Sequence, residues 1–252
     1  MNKGYKVLLA LSLGLNILMF QNYFQSVLHK ESLINKSFIE DKGIQAGSTE
    51  LGFNESKLDE YKKYKSTEND IIFLGDSITQ RGSWSEYFPG LFVRNRGIDG
   101  DGTENILHRL DPVVNGCPSK IFLLIGINDL AAQFDNEKIL ANYEKIILTI
   151  QEKTPKTKIY AGSILPVNSY KLKDILERET NTTIPITNQN IQALNTRLQT
   201  LCEKNRVIYI DYYTHVIEAG ELKPELTKDG LHLNSDGYIV LSTVLQPYLT
   251  EK

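Results

Sequence analysis

Five residues of the chain have the types that transfer of an acyl group requires, and each sits in a turn or loop rich in glycine and polar residues. Ser77 follows the apolar run Ile71-Ile72-Phe73-Leu74 and its Gly75-Asp76 turn. Gly100 lies in Gly97-Ile98-Asp99-Gly100-Asp101-Gly102-Thr103. Asn128 lies in Gly126-Ile127-Asn128-Asp129, and Asp229 stands three residues before His232. Acyl transfer needs a nucleophile, a base to take its proton, an acid to orient the base, and donors for the developing oxyanion. The set offers a candidate for each role. Each residue also has a plainer reading: Ser77 as the hydroxyl that caps the next helix, Asn128 as a turn former bonding its own backbone, and Asp229 to His232 as a turn into the last helix. The other histidines, His29, His108 and His215, fall in a polar stretch, in a predicted helix and after the last predicted strand.

The elements that would position these residues alternate. Residues 71–74 read as a buried parallel strand, 92–96 as a second and less apolar one, and 121–125 as a purely apolar and therefore central third. Strands over 158–165 and 207–211 follow. Between them lie helical patterns opening at Thr103 and running through Val113-Val114, over 139–150 with Ile139, Leu140, Tyr143, Ile146, Ile147 and Ile150 on one face, and over 188–204 and 235–249. Residues 167–185 form a mostly polar insertion. Alternation of this kind predicts an α/β protein, a three-layer α/β/α sandwich around a five-stranded parallel sheet. In open α/β sheets the ligand crevice lies outside the carboxyl ends of the strands, which is where Ser77, Gly100 and Asn128 fall.

The chain has 252 residues and a net charge of −3, enough for one α/β domain with a full core, and without the basic balance that nucleic-acid binding requires. Its amino-terminal part differs from the rest. Lys3 and Lys6 flank an apolar run over 7–20, followed by Gln21-Asn22-Tyr23-Phe24-Gln25, a poor cleavage sequence. This reads as a signal peptide or, by preference, an uncleaved signal anchor over 1–28, with the catalytic part outside the cytoplasm. Residues 29–69 read as a polar stalk with a leading helix, and 70–252 as the domain. Cys117 and Cys202 lie far apart, with no CxxC or histidine pair to suggest zinc, and their spacing leaves a disulfide undecided. Nothing in the sequence sets an oligomeric state.

Taken in order, Gly75-Asp76-Ser77, Asn95-x-Gly97-Ile98-x-Gly100-Asp101, Gly126-x-Asn128-Asp129 and Asp229-x-x-His232 resemble the four blocks of the SGNH (GDSL) hydrolase superfamily. The resemblance runs from about residue 70 to the carboxyl end. The stretch 95–110 is most similar to the branch of platelet-activating factor acetylhydrolase-like esterases. Residues 75–79 lack the second glycine of a Gly-x-Ser-x-Gly elbow, which sets the chain apart from ordinary α/β-hydrolases.

The resemblance implies a flavodoxin-like strand order of 2-1-3-4-5, with Ser77 as nucleophile, His232 as general base and Asp229 as its orienting partner. It implies an oxyanion hole from the backbone N–H groups of Ser77 and Gly100 and the side-chain amide of Asn128, with Gly97 the alternative to Gly100. No metal or cofactor is implied. The expected activity is hydrolysis of short acyl esters, acetyl foremost, on a small molecule or an extracellular glycan. The alternatives are a lysophospholipase or thioesterase acting on longer chains, and a non-catalytic flavodoxin-like module holding an anion on its glycine turns.

Overall fold

The computed structural model describes residues 48–179 and 185–251. The expected anchor over 1–28, the first part of the stalk and the 180–184 stretch of the insertion lie outside the described residues. Helix α1 (Ser48–Lys63) leads into β1 (Ile71–Gly75), α2 (Ser77–Gln80), α3 (Trp84–Tyr87) and β2 (Val93–Gly97). Then come α4 (Thr103–His108), α5 (Asp111–Val114), β3 (Lys120–Leu124), α6 (Ile127–Ala131), α7 (Asn136–Lys153) and β4 (Lys158–Gly162). The chain continues through α8 (Ser169–Glu179), α9 (Asn188–Lys204), β5 (Ile208–Ile210) and α10 (Tyr213–Val216). A hairpin of β6 (Ile217–Glu218) and β7 (Glu221–Leu222), a 3-10 turn (Pro224–Leu226) and α11 (Ser235–Thr250) complete it.

The five main strands pair in parallel in the order β2-β1-β3-β4-β5, the order that the resemblance implied. Every residue of β1 and β3 is buried, as continuous apolar runs at the centre of a covered sheet should be. The register puts Phe73 beside Phe122 and Phe122 beside Tyr160, and their rings stack with centroids 5.1 and 4.4 Å apart. Trp84 lies on Phe73 at 4.4 Å, and Tyr248 of α11 meets Tyr160 edge-on at 5.8 Å, so α3 and α11 cover this face. The pleat turns Ile72, Leu74, Ile121 and Leu123 the other way. Helix α7 buries the six apolar residues read from its periodicity, and α4 and α9 pack beside it.

Several boundaries differ from the sequence reading, each for a local reason. The helix expected over 103–114 breaks in two, because Pro112 has no N–H for the His108 carbonyl and starts the new helix in its first turn. Strand β3 begins at Lys120, whose ammonium donates to the carbonyls of Tyr248, Leu249 and Glu251 at 2.6, 3.1 and 2.8 Å at the end of α11. Strand β4 stops at Gly162, because the side chain of Asn195 takes both the N–H and the carbonyl of Ile164 at 2.8 Å. The polar insertion contains α8, with Leu172 buried and Ile175 packed on the core while Tyr170, Lys173 and Asp174 face out. Cys117 is exposed and Cys202 buried, both as free thiols. Among the described residues no helix is long and apolar enough to cross a membrane.

Candidate active site

Ser77 opens α2 directly at the carboxyl end of β1, and hydrogen bonds hold both ends of the short helix. Asp76 caps it, its Oδ1 accepting the Ile78 N–H at 2.9 Å. The carbonyls at its far end are all taken. Tyr238 donates to Ile78 at 2.6 Å, Trp84 Nε1 to Thr79 at 2.8 Å, and Asn95 Nδ2 to Thr79, Gln80 and Gly82 at 2.9, 3.0 and 3.1 Å. The first N–H groups of a helix have no partner within it. Here that of Ile78 goes to Asp76, and that of Ser77 has no protein acceptor among the described residues.

His232 Nε2 lies 3.0 Å from Ser77 Oγ, and His232 Nδ1 lies 2.7 Å from Asp229 Oδ2. The three side chains come from opposite ends of the domain, 155 residues apart in sequence, and are 6, 4 and 2 % exposed for Ser77, His232 and Asp229. Burial pushes the Asp229 carboxyl up, but the hydrogen bond and charge of His232 and the backbone N–H groups of His232 and Leu231 outweigh it and hold it down at about 2. Asp229 is therefore a carboxylate that only accepts; a neutral imidazole beside it carries its proton on Nδ1 and leaves Nε2 free to accept from the serine hydroxyl. This arrangement can draw a proton from Ser77 and return it to a leaving group.

The turns after β2 and β3 meet beside this pair. Gly100 has φ +79°, a conformation that glycine adopts freely, and its N–H has no acceptor among the described residues. The Gly97 N–H instead donates to Asn95 Oδ1 at 2.9 Å, and its carbonyl accepts from Tyr61 at 2.9 Å. Of the two glycines left open by the sequence, Gly100 is thus the one with an N–H available for a ligand. Asn128 Nδ2 donates to the carbonyl of Asp101 at 2.8 Å, which fixes the amide against the Gly100 turn.

Sequence reasoning missed a buried layer beneath these turns. Arg109 donates to Asp101 Oδ2 at 2.5 Å and to the carbonyls of Arg96 and Gly75 at 3.0 and 2.9 Å, tying together the ends of β1 and β2 and the turn between β2 and α4. Burial pushes the Asp101 carboxyl up to about 6, with the charge and hydrogen bond of Arg109 opposing it. Asp129 accepts from the Thr103 N–H at 3.1 and 3.0 Å and from its hydroxyl at 2.6 Å, and Asn142 donates to that hydroxyl at 2.8 Å. The available signal was charge among apolar neighbours: Asp101 and Arg109 flank the apolar positions of α4, and Asp129 follows an apolar strand.

The model of the GDSL-like Lipase/Acylhydrolase family matches residues 73–240. The N-acylneuraminate cytidylyltransferase of Streptococcus agalactiae is 25% identical over 191 residues, which is 76% of this chain and 41% of that protein. Platelet-activating factor acetylhydrolase IB subunit alpha2 of Rattus norvegicus is 32% identical over 108 residues, 40% of this chain and 46% of that one. The chain thus spans less than half the length of either curated relative. A solved structure from Streptococcus pneumonia, named after platelet activating factor, superposes with a TM-score of 0.72 at 33% identity, covering 79% of this chain and 94% of that one. With the family model matching residues 73–240, the chain belongs to the GDSL-like lipase/acylhydrolase family, within the SGNH hydrolase superfamily.

Proposed function

We propose that this chain is a serine esterase that removes short acyl groups, acetyl foremost, from a polar leaving group such as a sugar. The observation that carries the reading is His232, bonded to Ser77 Oγ on one ring nitrogen and to Asp229 on the other. As Ser77 Oγ attacks the ester carbonyl, His232 Nε2 takes its proton and Asp229 stabilises the imidazolium. The new oxyanion accepts from the N–H groups of Ser77 and Gly100 and from the Asn128 amide. Collapse breaks the bond to the leaving oxygen, which receives the proton from His232. Water then attacks the acyl-enzyme, giving its proton to His232 and, on a second collapse, releasing the acid and restoring the serine hydroxyl.

Two lines support a small acyl group on a polar carrier. The acetylhydrolase relative is named for acetyl transfer to water, and the cytidylyltransferase relative for a sugar acid. In addition, α8 turns Leu172 and Ile175 into the core and shows Tyr170, Lys173 and Asp174 to solvent, unlike a lid meant to cover a lipid chain. Each methylene that fits an apolar pocket contributes about 1 kcal/mol or more to discrimination, so a series of p-nitrophenyl esters tests the acyl group. Acetyl and propionyl esters should show higher kcat/KM than octanoyl. An octanoyl advantage of about tenfold, roughly 1.4 kcal/mol, would favour the lysophospholipase or thioesterase reading.

The lysine-flanked apolar run over 7–20 supports placing this activity outside the cytoplasm on a membrane anchor. Full-length protein should then be found in the membrane pellet and be cut by protease added to spheroplasts. A soluble cytoplasmic product retaining residues 1–20 would refute the placement.

A further inference from the structure

The acid–base arm is the loop that carries Asp229 and His232. Asp229, Gly230, Leu231 and His232 form a loop between the 3-10 turn and α11, and residues of the insertion after β4 help to hold it. The Asn168 N–H donates to the Gly230 carbonyl at 2.7 Å. Gly230 has φ +90°, and a Cβ there would stand 2.6 Å from the Asn168 carbonyl and from the Leu172 nitrogen, so the loop lies backbone against backbone on the first turn of α8. The ammonium of Lys171 donates to the carbonyls of Thr227 and Pro224 at 2.8 and 3.3 Å. Thr227, 2 % exposed, closes the loop from inside. Its hydroxyl donates to the His232 carbonyl at 2.7 Å and accepts from the Gly230 N–H at 2.9 Å. The same turn of α8 holds the hairpin that precedes the loop. Asn168 Nδ2 donates to the Leu222 carbonyl at 2.8 Å, and Ser169 reaches both carboxylate oxygens of Glu221 at 2.7 and 2.6 Å.

We infer that the start of α8 is the seat of the acid–base arm, and that Lys171, acting through Thr227, is a positioning residue for His232. The inference rests on the esterase reading above, because it concerns the residue that takes the serine's proton. The physical reason is one of placement. The imidazole must stay within hydrogen-bond reach of Ser77 Oγ, and displacements of about 1 Å in such sites can cost a hundredfold in rate. The Lys171 ammonium supplies donors to two carbonyls of the segment leading into Asp229, and the Thr227 hydroxyl carries the restraint to both ends of the Gly230 to His232 stretch. The role that this gives the insertion is to hold the base, with its apolar stripe buried as the attachment.

The test compares Lys171→Met, which keeps the stem and removes the donors, with Lys171→Arg, which restores donors, and adds Thr227→Val with Thr227→Ser as a second pair. The readouts are kcat and KM for p-nitrophenyl acetate, the second-order rate of labelling by a fluorophosphonate probe, and thermal unfolding. Lys171→Met and Thr227→Val should lower kcat and the labelling rate together by about tenfold or more, with KM within about twofold, and Lys171→Arg and Thr227→Ser should recover most of the loss. Wild-type kcat and labelling in both loss variants, or a change in melting temperature alone, would overturn the inference. Ser77→Ala separates it from the underlying reading: if labelling persists in that variant, the nucleophile assignment itself falls.

Discussion

The side-chain amide of Asn128 donates to the main-chain carbonyl of Asp101 at 2.8 Å, joining the turn after β3 to the residue that follows Gly100. An amide nitrogen carries two hydrogens. With one held by Asp101, the direction of the other is fixed before any substrate binds, which is the preorganisation that an oxyanion hole depends on.

Asn128→Ala should therefore lower kcat by about a hundredfold to a thousandfold with little change in KM, since the amide faces charge that exists only in the transition state. Steady-state kinetics on a short-chain ester give the answer. A raised KM with kcat intact would make Asn128 a binding residue instead.

Beneath that turn, the Arg109–Asp101 pair is buried on both sides, 4 and 9 % exposed. Removing one member of such a pair leaves an uncompensated charge and costs about 3–5 kcal/mol. Arg109→Met should lose stability on that scale in urea titrations, and Asp101→Asn added to it should cost much less than the sum of the single losses. Additive losses would mean that the two side chains are not coupled.

Much of this was legible in the sequence, and what was missed has a common cause. The apolar run at 71–74 read as a buried strand and that at 121–125 as a central one, because a strand covered on both faces is apolar throughout. The residues at strand ends read as the site because open sheets bind ligands there. Lys120 could not be read as part of β3, because its three carbonyl partners lie at least 128 residues away. The helix inside the insertion was legible only as a narrow apolar stripe at helical spacing, Leu172 and Ile175 among it, and the structure packs those two residues on the core. Arg109 was passed over for the same reason as Lys120. Its value lies in bridging Gly75 and Arg96, which only the pairing of β1 with β2 brings together.

The cap residue Asp76 sets a pH dependence. Burial, opposed by the Ile78 N–H and aided by nearby carboxylates, pushes its carboxyl up from 3.8 to about 7. Between those values the folded state binds a proton that the unfolded state has released, so this group's contribution is fully present in acid and is lost as pH rises from about 4 to about 7. Asn caps helices about as well as Asp and does not titrate. The stability of Asp76→Asn relative to wild type, from denaturant midpoints, should accordingly climb across that window by a few kcal/mol and level off above it. A difference that stays constant from pH 4 to pH 8 would contradict a raised Asp76.

Asp229 works in the opposite sense, since its carboxylate must be ionised to fix the imidazole proton on Nδ1. Asp229→Asn keeps the shape but can donate as well as accept, which permits the wrong tautomer. It should lower kcat by as much as about ten-thousandfold while KM for a short ester changes little. Wild-type kcat in that variant would remove Asp229 from the acid–base arm.

Acylation of Ser77 Oγ is the central proposal, and intact-protein and peptide mass spectrometry after fluorophosphonate treatment measures it most directly. The wild type should gain one adduct, located on the peptide containing Ser77. Ser77→Ala should gain none and should lose about three orders of magnitude in turnover with its fold unchanged by circular dichroism. An adduct on another residue, or labelling and turnover that survive in Ser77→Ala, would contradict the account.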